Sequence, residues 1–323
     1  MLMDQKQLLA SYLENISSSR GQSGLKTGIF ELDQMIGGLE NFVILGGKSG
    51  SGKTSLATQM ALGIVQNEQI PVIFFSFEMK SEDILTLMIQ NLSEKTLKRE
   101  EIINTSHDEK LSNPNMAKSI QKLNSLMDLI YIFDGQNGVP SLAEIEDKIR
   151  EIQDKHQTKQ VFVVIDSFND LVADSEHMVA AKAEEDVVQK LFQIQLKTGS
   201  TVLAIAQRIN NSLRGGSSED GLKGSVALYH KPTTVLELIS YKEMLLSLEA
   251  NSYSAKREKL EIENLIKNSN ISTPLMLYVS KHRNNTNSRL YLKFYGSYRY
   301  FEAGIEPAFE NRNKFRIYSY LEQ

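Results

Sequence analysis

The feature that most constrains the fold is Gly47-Lys48-Ser49-Gly50-Ser51-Gly52-Lys53-Thr54. It fits the pattern G-x-x-x-x-G-K-S/T. An apolar stretch, NFVILGG, precedes it, and a run of good helix formers extends to about Val65. Strand, glycine loop and helix in that order make a phosphate cradle. Gly50 and Gly52 let the backbone bend until successive N–H groups point at phosphate oxygens. The helix N-terminus adds its positive dipole. On this reading Gly47 through Thr54, with Ser55, bind a nucleoside triphosphate. Lys53 reaches the β- and γ-phosphates, and the Thr54 hydroxyl ligates Mg²⁺.

A loop of this kind belongs in an α/β chain, and the surrounding sequence alternates accordingly. IPVIFFSFEM, LIYIFDG, QVFVVIDSF and TVLAIAQ are short apolar runs rich in β-branched and aromatic residues. Helical segments separate them. SEDILTLMIQNLS carries Ser81 as its expected N-cap, with Glu82 and Asp83 in the first turn. SLAEIEDKIREIQDKH opens with Ser141 three residues before Glu144, a capping box. AEEDVVQKLFQIQLKTGS runs to Gly199, and residues 94–126 mix helix and loop. Strands this uniformly apolar imply a parallel sheet covered on both faces. Towards the C-terminus PTTVLELIS and PLMLYVSKHR are strand-like, and RLYLKFYGSYRYFE reads as a hairpin turning at Gly296. The expectation is a mostly parallel sheet with antiparallel edge strands. The charged helical stretch at 242–268 reads as a solvated insertion.

The strand ends supply the chemistry. Asp166 closes VFVVI, where its carboxylate can hold the magnesium. Glu78 follows VIFFSF, in place to position or deprotonate a water. Gln207 ends TVLAIA, where an amide can sense a γ-phosphate. In a parallel sheet these ends share one edge, the edge at which ligands bind.

Composition removes other classes. With 36 Lys and Arg against 40 Asp and Glu, the formal charge is −4, so no global basic field draws the chain to nucleic acid. There is no cysteine, and the five histidines are scattered. The start lacks an apolar signal region. No apolar run approaches the ~18 residues of a membrane span. A cytoplasmic protein without membrane contact is the expectation.

With these residues placed, the chain resembles the RecA-like motor domain of DnaB-type hexameric replicative helicases, within the RecA/KaiC-like ATPase superfamily. TGIFELDQMIGGLENFVILGGKSGSGKTSLATQMA is similar to the family's opening segment. FFSFEM resembles its glutamate-bearing strand, VVIDSFNDL its metal-binding strand, and LAIAQR its γ-phosphate sensor. SKHRNN resembles its Lys-x-Arg motif and LKFYGSYRYFE its closing hairpin. The resemblance covers about Leu25 to Glu302 and implies a three-layer α/β sandwich at 25–323. It implies Mg-ATP hydrolysis between subunits of a homo-hexamer, with Glu78, Lys53 and Gln207 acting in one subunit and Lys281 and Arg283 reaching in from the next. It also recasts residues 1–24. Leu8, Leu9, Tyr12, Leu13 and Ile16 form a helical stripe that would dock on the adjacent protomer, tethered by Ser17–Gly24.

Helicases of this type thread single-stranded DNA through a ring of loops. RINNSLRGGSSEDGLKGSVALYHK occupies that position and carries Arg208, Arg214 and Lys223. The chain departs from the family at the end of this stretch, after its Gly-Ser, where Tyr229, His230, Lys231, Pro232 and Thr233 stand. It also has no stretch resembling the family's separate N-terminal helical domain, through which primase and loader contacts run. The leading expectation is a ring-forming 5′→3′ DNA helicase or translocase with replication or mobile-element partner proteins. The alternative is a regulatory or scaffolding ATPase that assembles and acts through partners. A small-molecule kinase would need an acceptor site, and none is recognisable.

Overall fold

The computed structural model describes residues 24–106, 112–171, 180–207, 227–247, 271–282 and 288–304, together with residues 9, 260, 262–264, 266–267 and 269. The N-terminal stripe other than Leu9, the residues Arg208, Arg214 and Lys223 expected to contact DNA, Arg283, and most of the stretch at 242–268 expected to be an insertion lie outside them.

Nine strands form one sheet in the order β3-β2-β4-β5-β1-β6-β7-β8-β9. They are β1 (Phe42–Gly47), β2 (Val72–Ser76), β3 (Ile130–Asp134), β4 (Phe162–Asp166), β5 (Thr201–Gln207), β6 (Thr234–Ser240), β7 (Thr273–His282), β8 (Ser288–Tyr295) and β9 (Tyr300–Ala303). The first six pair in parallel, and β7, β8 and β9 are added antiparallel. Every residue of β1, β2 and β4 is buried. This is why those strands read as unbroken apolar runs: both faces of a parallel sheet are covered.

The covering helices divide into two layers. On one face lie α1 (Phe30–Ile36), α2 (Lys53–Glu68) and α3 (Ser81–Leu92). Leu56, Met60, Ile64, Ile84 and Met88 from that layer meet Leu45, Phe74, Val164 and Ile205 of the sheet. Beside it sit α4 (Arg99–Ile103) and α5 (Pro114–Asn124), within the stretch expected to mix helix and loop. The other face carries α6 (Leu142–His156) and α7 (Ala180–Thr198), whose Ile145, Ile149, Val188 and Leu191 pack on Ile44, Phe75 and Ile165. The three-layer α/β expectation is met.

Two expected helix caps meet different outcomes. The Ser141–Glu144 capping box is present: the Ser141 hydroxyl accepts from the Glu144 amide, and the Glu144 carboxylate accepts from the Ser141 amide. Ser81 is not an N-cap. Lys80 holds that position, and Ser81 is the first helical residue. Its amide and hydroxyl both donate to Asp134 Oδ2, at 2.9 and 2.7 Å. The strand neighbour Asp134 therefore caps α3, and these hydrogen bonds, the Ser81 hydroxyl foremost, hold its carboxyl below the usual aspartate range. A partner distant in sequence has replaced the local one.

The segment that departs from the family pattern is part of the packed structure. Ala227–His230 form a short helix, α8. Tyr229 is buried in the second core and donates its hydroxyl to Glu237 Oε1 at 3.2 Å. Thr233 donates its amide and hydroxyl to the Phe42 carbonyl, fastening the start of β6 to β1.

Candidate nucleotide site

The parallel topology delivers four chain segments to one edge. β1 runs directly into the glycine loop, which opens α2. β5 and β4 lie beside β1 in turn, then β2. Their C-terminal ends bring Gln207, Asp166 and Glu78 to the loop. These residues, with Ser49, Gly50, Gly52, Lys53, Thr54 and Ser55, line one cavity of about 160 Å³.

The loop is shaped for an anion. Gly52 sits at φ 94° as the N-cap of α2. A Cβ there would also fall 2.9 Å from the Phe301 ring, so only glycine fits. That ring stacks on Phe294, with centroids 4.4 Å apart. Phe301 is tied to α2 by a reciprocal pair with Gln59, at 2.8 and 2.9 Å. The closing hairpin of β8 and β9 thus braces the loop from below. Lys53 Nζ donates to the carbonyls of Gly47 and Lys48, at 2.9 and 2.8 Å. Burial lowers the Lys53 pKa, opposed by the charges of Asp166, Glu78 and Glu243. Phosphate oxygens would be stronger acceptors for this ammonium than two carbonyls. Ser51 Oγ is buried with no hydrogen-bond partner among the described residues. These features fit a triphosphate.

The two residues expected to hold a metal are hydrogen-bonded to each other. Thr54 Oγ1 donates to Asp166 Oδ2 at 2.6 Å. Asp166 is almost fully buried, and desolvation is the main reason its pKa is raised to about 6. The Thr54 hydrogen bond and Lys53 act against that rise, while the charges of Glu78 and Asp170 add to it. One hydroxyl and one carboxylate suit a magnesium ion that takes its remaining ligands from phosphate and water. Among the described residues no group of three or more His, Cys, Asp or Glu side chains gathers to hold a metal alone.

Glu78 lies two residues beyond β2, exposed at the cavity. Gln207 Nε2 donates to Glu78 Oε1 at 3.3 Å, and the Gln207 amide donates to Asn169 Oδ1 at 3.1 Å. The sequence-predicted carboxylate and sensor are therefore in contact.

Lys281 is elsewhere. It lies one residue before the end of β7, which runs antiparallel to β6 and pairs Lys281 with Val235. The loop end of β1, Gly47, pairs with Leu238. Each residue from Leu238 to Val235 carries the chain away from the loop, ~10 Å in all, to the opposite edge of the sheet. There Lys281 Nζ donates to the carbonyls of Tyr229 and His230.

The cavity also contains residues that the sequence reading missed. Arg99 and Arg299 line it with Met79 and Leu87. Arg99 is paired with Asp83 at 2.6 Å. Arg299 follows the hairpin turn at φ 52°, a left-handed conformation uncommon for a non-glycine residue. An arginine one residue from the turn of a closing hairpin was the available signal.

A family model described as DnaB-like helicase C terminal domain matches residues 24–217. The chain belongs to this family. A replicative DNA helicase DnaB of Synechocystis sp. is 24% identical over 197 residues, which is 60% of this chain and 22% of that protein. A probable replicative DNA helicase of Trieres chinensis is 24% identical over 289 residues, 87% of this chain and 58% of the relative. The chain thus spans less than two thirds of either DnaB-type relative. Among solved structures, one ATPase domain superposes with a TM-score of 0.75 at 20% identity, covering 95% of this chain and all of that one. A DnaB-like replicative helicase studied with primase gives a TM-score of 0.69 at 20% identity, covering 93% of this chain and 67% of the other. These likenesses agree with the DnaB-like fold, including its antiparallel C-terminal strands.

Proposed function

We propose that this DnaB-like domain is the motor of a ring-forming DNA helicase, hydrolysing Mg-ATP between subunits and moving on single-stranded DNA. The observation that carries the reading is the split between the two ends of the sheet. One end holds the glycine loop, Glu78, Asp166 and Gln207 in a single cavity. The basic strand end at Lys281 leaves the opposite edge. A Lys281–Arg283 pair that acts on a triphosphate must then act on that of another copy.

In the proposed cycle the loop amides and Lys53 hold the phosphates, and Thr54 with Asp166 hold Mg²⁺, which neutralises phosphate charge when bound. Glu78 orients a water towards the γ-phosphorus and takes its proton. Gln207, already bonded to Glu78, registers the presence of the γ-phosphate. Arg208, Arg214 and Lys223 follow β5 in the sequence and would contact the DNA backbone; six copies make a basic ring from an acidic monomer. The deciding experiment measures unwinding of a forked duplex, with solution mass recorded with and without ATP and single-stranded DNA. Assembly, DNA-stimulated hydrolysis and strand separation support the motor. Assembly with DNA-independent turnover and no unwinding overturns it.

Asp166 makes the site pH-dependent. Its pKa of about 6 means that it is mostly ionised at pH 7.5 and protonated below 6. Metal binding must then displace a proton. Mg-nucleotide affinity is expected to fall as pH drops through 6, by up to about tenfold per unit from this group. Nucleotide titrations at pH 5, 6 and 7.5 check this against Asp166→Asn, which also removes the phosphate's own titration from the comparison. A wild-type profile parallel to the Asn variant would exclude Asp166 as the cause.

A further inference from the structure

The second residue of the glycine loop, Lys48, is engaged by a part of the chain that the motifs do not reach. β6 lies beside β1, so its end emerges next to the loop. The chain then turns into a short helix, α9 (Tyr241–Ser247). Ser240 and Glu243 cap it reciprocally: the Ser240 amide donates to Glu243 Oε2 at 2.8 Å, and the Glu243 amide donates to Ser240 Oγ at 3.1 Å. This fixes the carboxylate and leaves Oε1 facing Lys48 Nζ at 3.3 Å. The Glu243 side chain is only 8% exposed and that of Lys48 26%. Glu243 Oε1 is buried without a hydrogen bond, so the ion pair with Lys48 is its compensation.

The placement is electrostatically unusual. A phosphate-binding loop gains from every cation and loses from every anion nearby. Here a buried carboxylate stands beside it. Its charge also reaches Lys53, and the Lys48 carbonyl is itself an acceptor for Lys53. Resting on the proposed nucleotide reading, we propose that Glu243 is a positioning residue that holds Lys48 away from the bound phosphates and so weakens nucleotide binding. The pair keeps the loop neutral at this point and lets hydrolysed nucleotide leave. Binding of the triphosphate and pairing of Lys48 with Glu243 compete for one ammonium.

The test is a charge cycle read by calorimetric titration with Mg-ATPγS and Mg-ADP. Glu243→Gln retains the acceptor for the Ser240 amide and removes only the charge. It is expected to tighten binding about three- to tenfold and to steepen its salt dependence. Lys48→Met leaves Glu243 uncompensated beside the phosphates and is expected to weaken binding by a similar factor. The double variant should return to within about threefold of wild type. Lys48→Arg keeps the cation and should stay close to wild type. A purely structural clasp predicts that both single variants weaken binding. If Glu243→Gln weakens it, with far-ultraviolet dichroism and melting temperature unchanged, the proposal falls. If Glu243→Gln unfolds, Lys48→Met decides: tighter or unchanged binding overturns the proposal, and weaker binding lost equally for Lys48→Arg does the same. Wild-type protein that binds neither nucleotide overturns the nucleotide reading as well. Wild-type binding that Lys53→Ala abolishes keeps that reading, whichever way the Lys48–Glu243 cycle falls.

Discussion

Glu78→Gln is expected to leave Mg-ATP binding intact and to lower steady-state hydrolysis by about 10²- to 10⁴-fold, the usual worth of a positioned general base. The substitution keeps size and hydrogen-bonding capacity and removes the ability to take a proton. Its neighbours make the prediction directional. Glu78 adds to the raised pKa of Asp166 and helps keep the buried Lys53 charged. Neutralising it removes one negative charge from a pocket that receives several more with the nucleotide. Affinity should therefore hold or rise while turnover collapses. The Gln207 contact at 3.3 Å can survive as an amide–amide hydrogen bond, so the cavity should keep its shape. Nucleotide titration beside single-turnover hydrolysis checks both halves. Turnover at the wild-type rate would remove Glu78 from the role of base, and joint loss of binding and turnover would make its role structural.

How much of this was legible in sequence depends on the range of the interaction concerned. The glycine loop, Asp166, Glu78 and Gln207 could be found because each is anchored to a buried parallel strand, and such strands betray themselves as apolar runs. Once the strands are parallel, their ends share an edge, so the convergence follows from topology. The Ser141–Glu144 box was legible because its partners are three residues apart. Ser81 was misread because Asp134, reached only through the β2–β3 pairing, outcompetes its own hydroxyl as the cap of α3. Glu243 was hidden differently. It opens a charged stretch that reads as a solvated surface, and its Ser-x-x-Glu signal predicts a helix start but not that the helix begins beside Lys48. Arg99, at the start of the short helix α4, and Arg299, just past the hairpin turn, enter the cavity from positions that no periodicity specifies. The Tyr229–Thr233 segment was read as a departure from the family pattern. Its local work is packing: a tyrosine in the second core and a threonine clasp on β1.

Arg283→Ala is expected to spare nucleotide binding by isolated protomers and to lower hydrolysis in the assembled state by about 10³- to 10⁵-fold, the range measured for arginines supplied in trans. The effect should appear only on assembly, because β7 carries this part of the chain away from its own loop: Lys281 pairs with Val235, whereas Gly47 pairs with Leu238. Mixing with Lys53→Ala makes the prediction exacting. The Arg283→Ala protomer keeps an intact cavity and lacks the cation for its neighbour. The Lys53→Ala protomer has a disabled cavity and can still supply that cation. Each variant alone forms only defective interfaces. In an equimolar random ring, about one interface in four combines an intact cavity with an intact arginine, given head-to-tail contacts around the ring. Hydrolysis should therefore recover to about a quarter of the wild-type level if interfaces act independently, and vary with the product of the two fractions as the ratio changes. Lys281 should behave likewise but more weakly, since its ammonium must first leave the Tyr229 and His230 carbonyls. If the variants co-assemble, as shown by mass, and no ratio restores turnover, the cation acts within its own chain or not at all. The split site would then have to be abandoned.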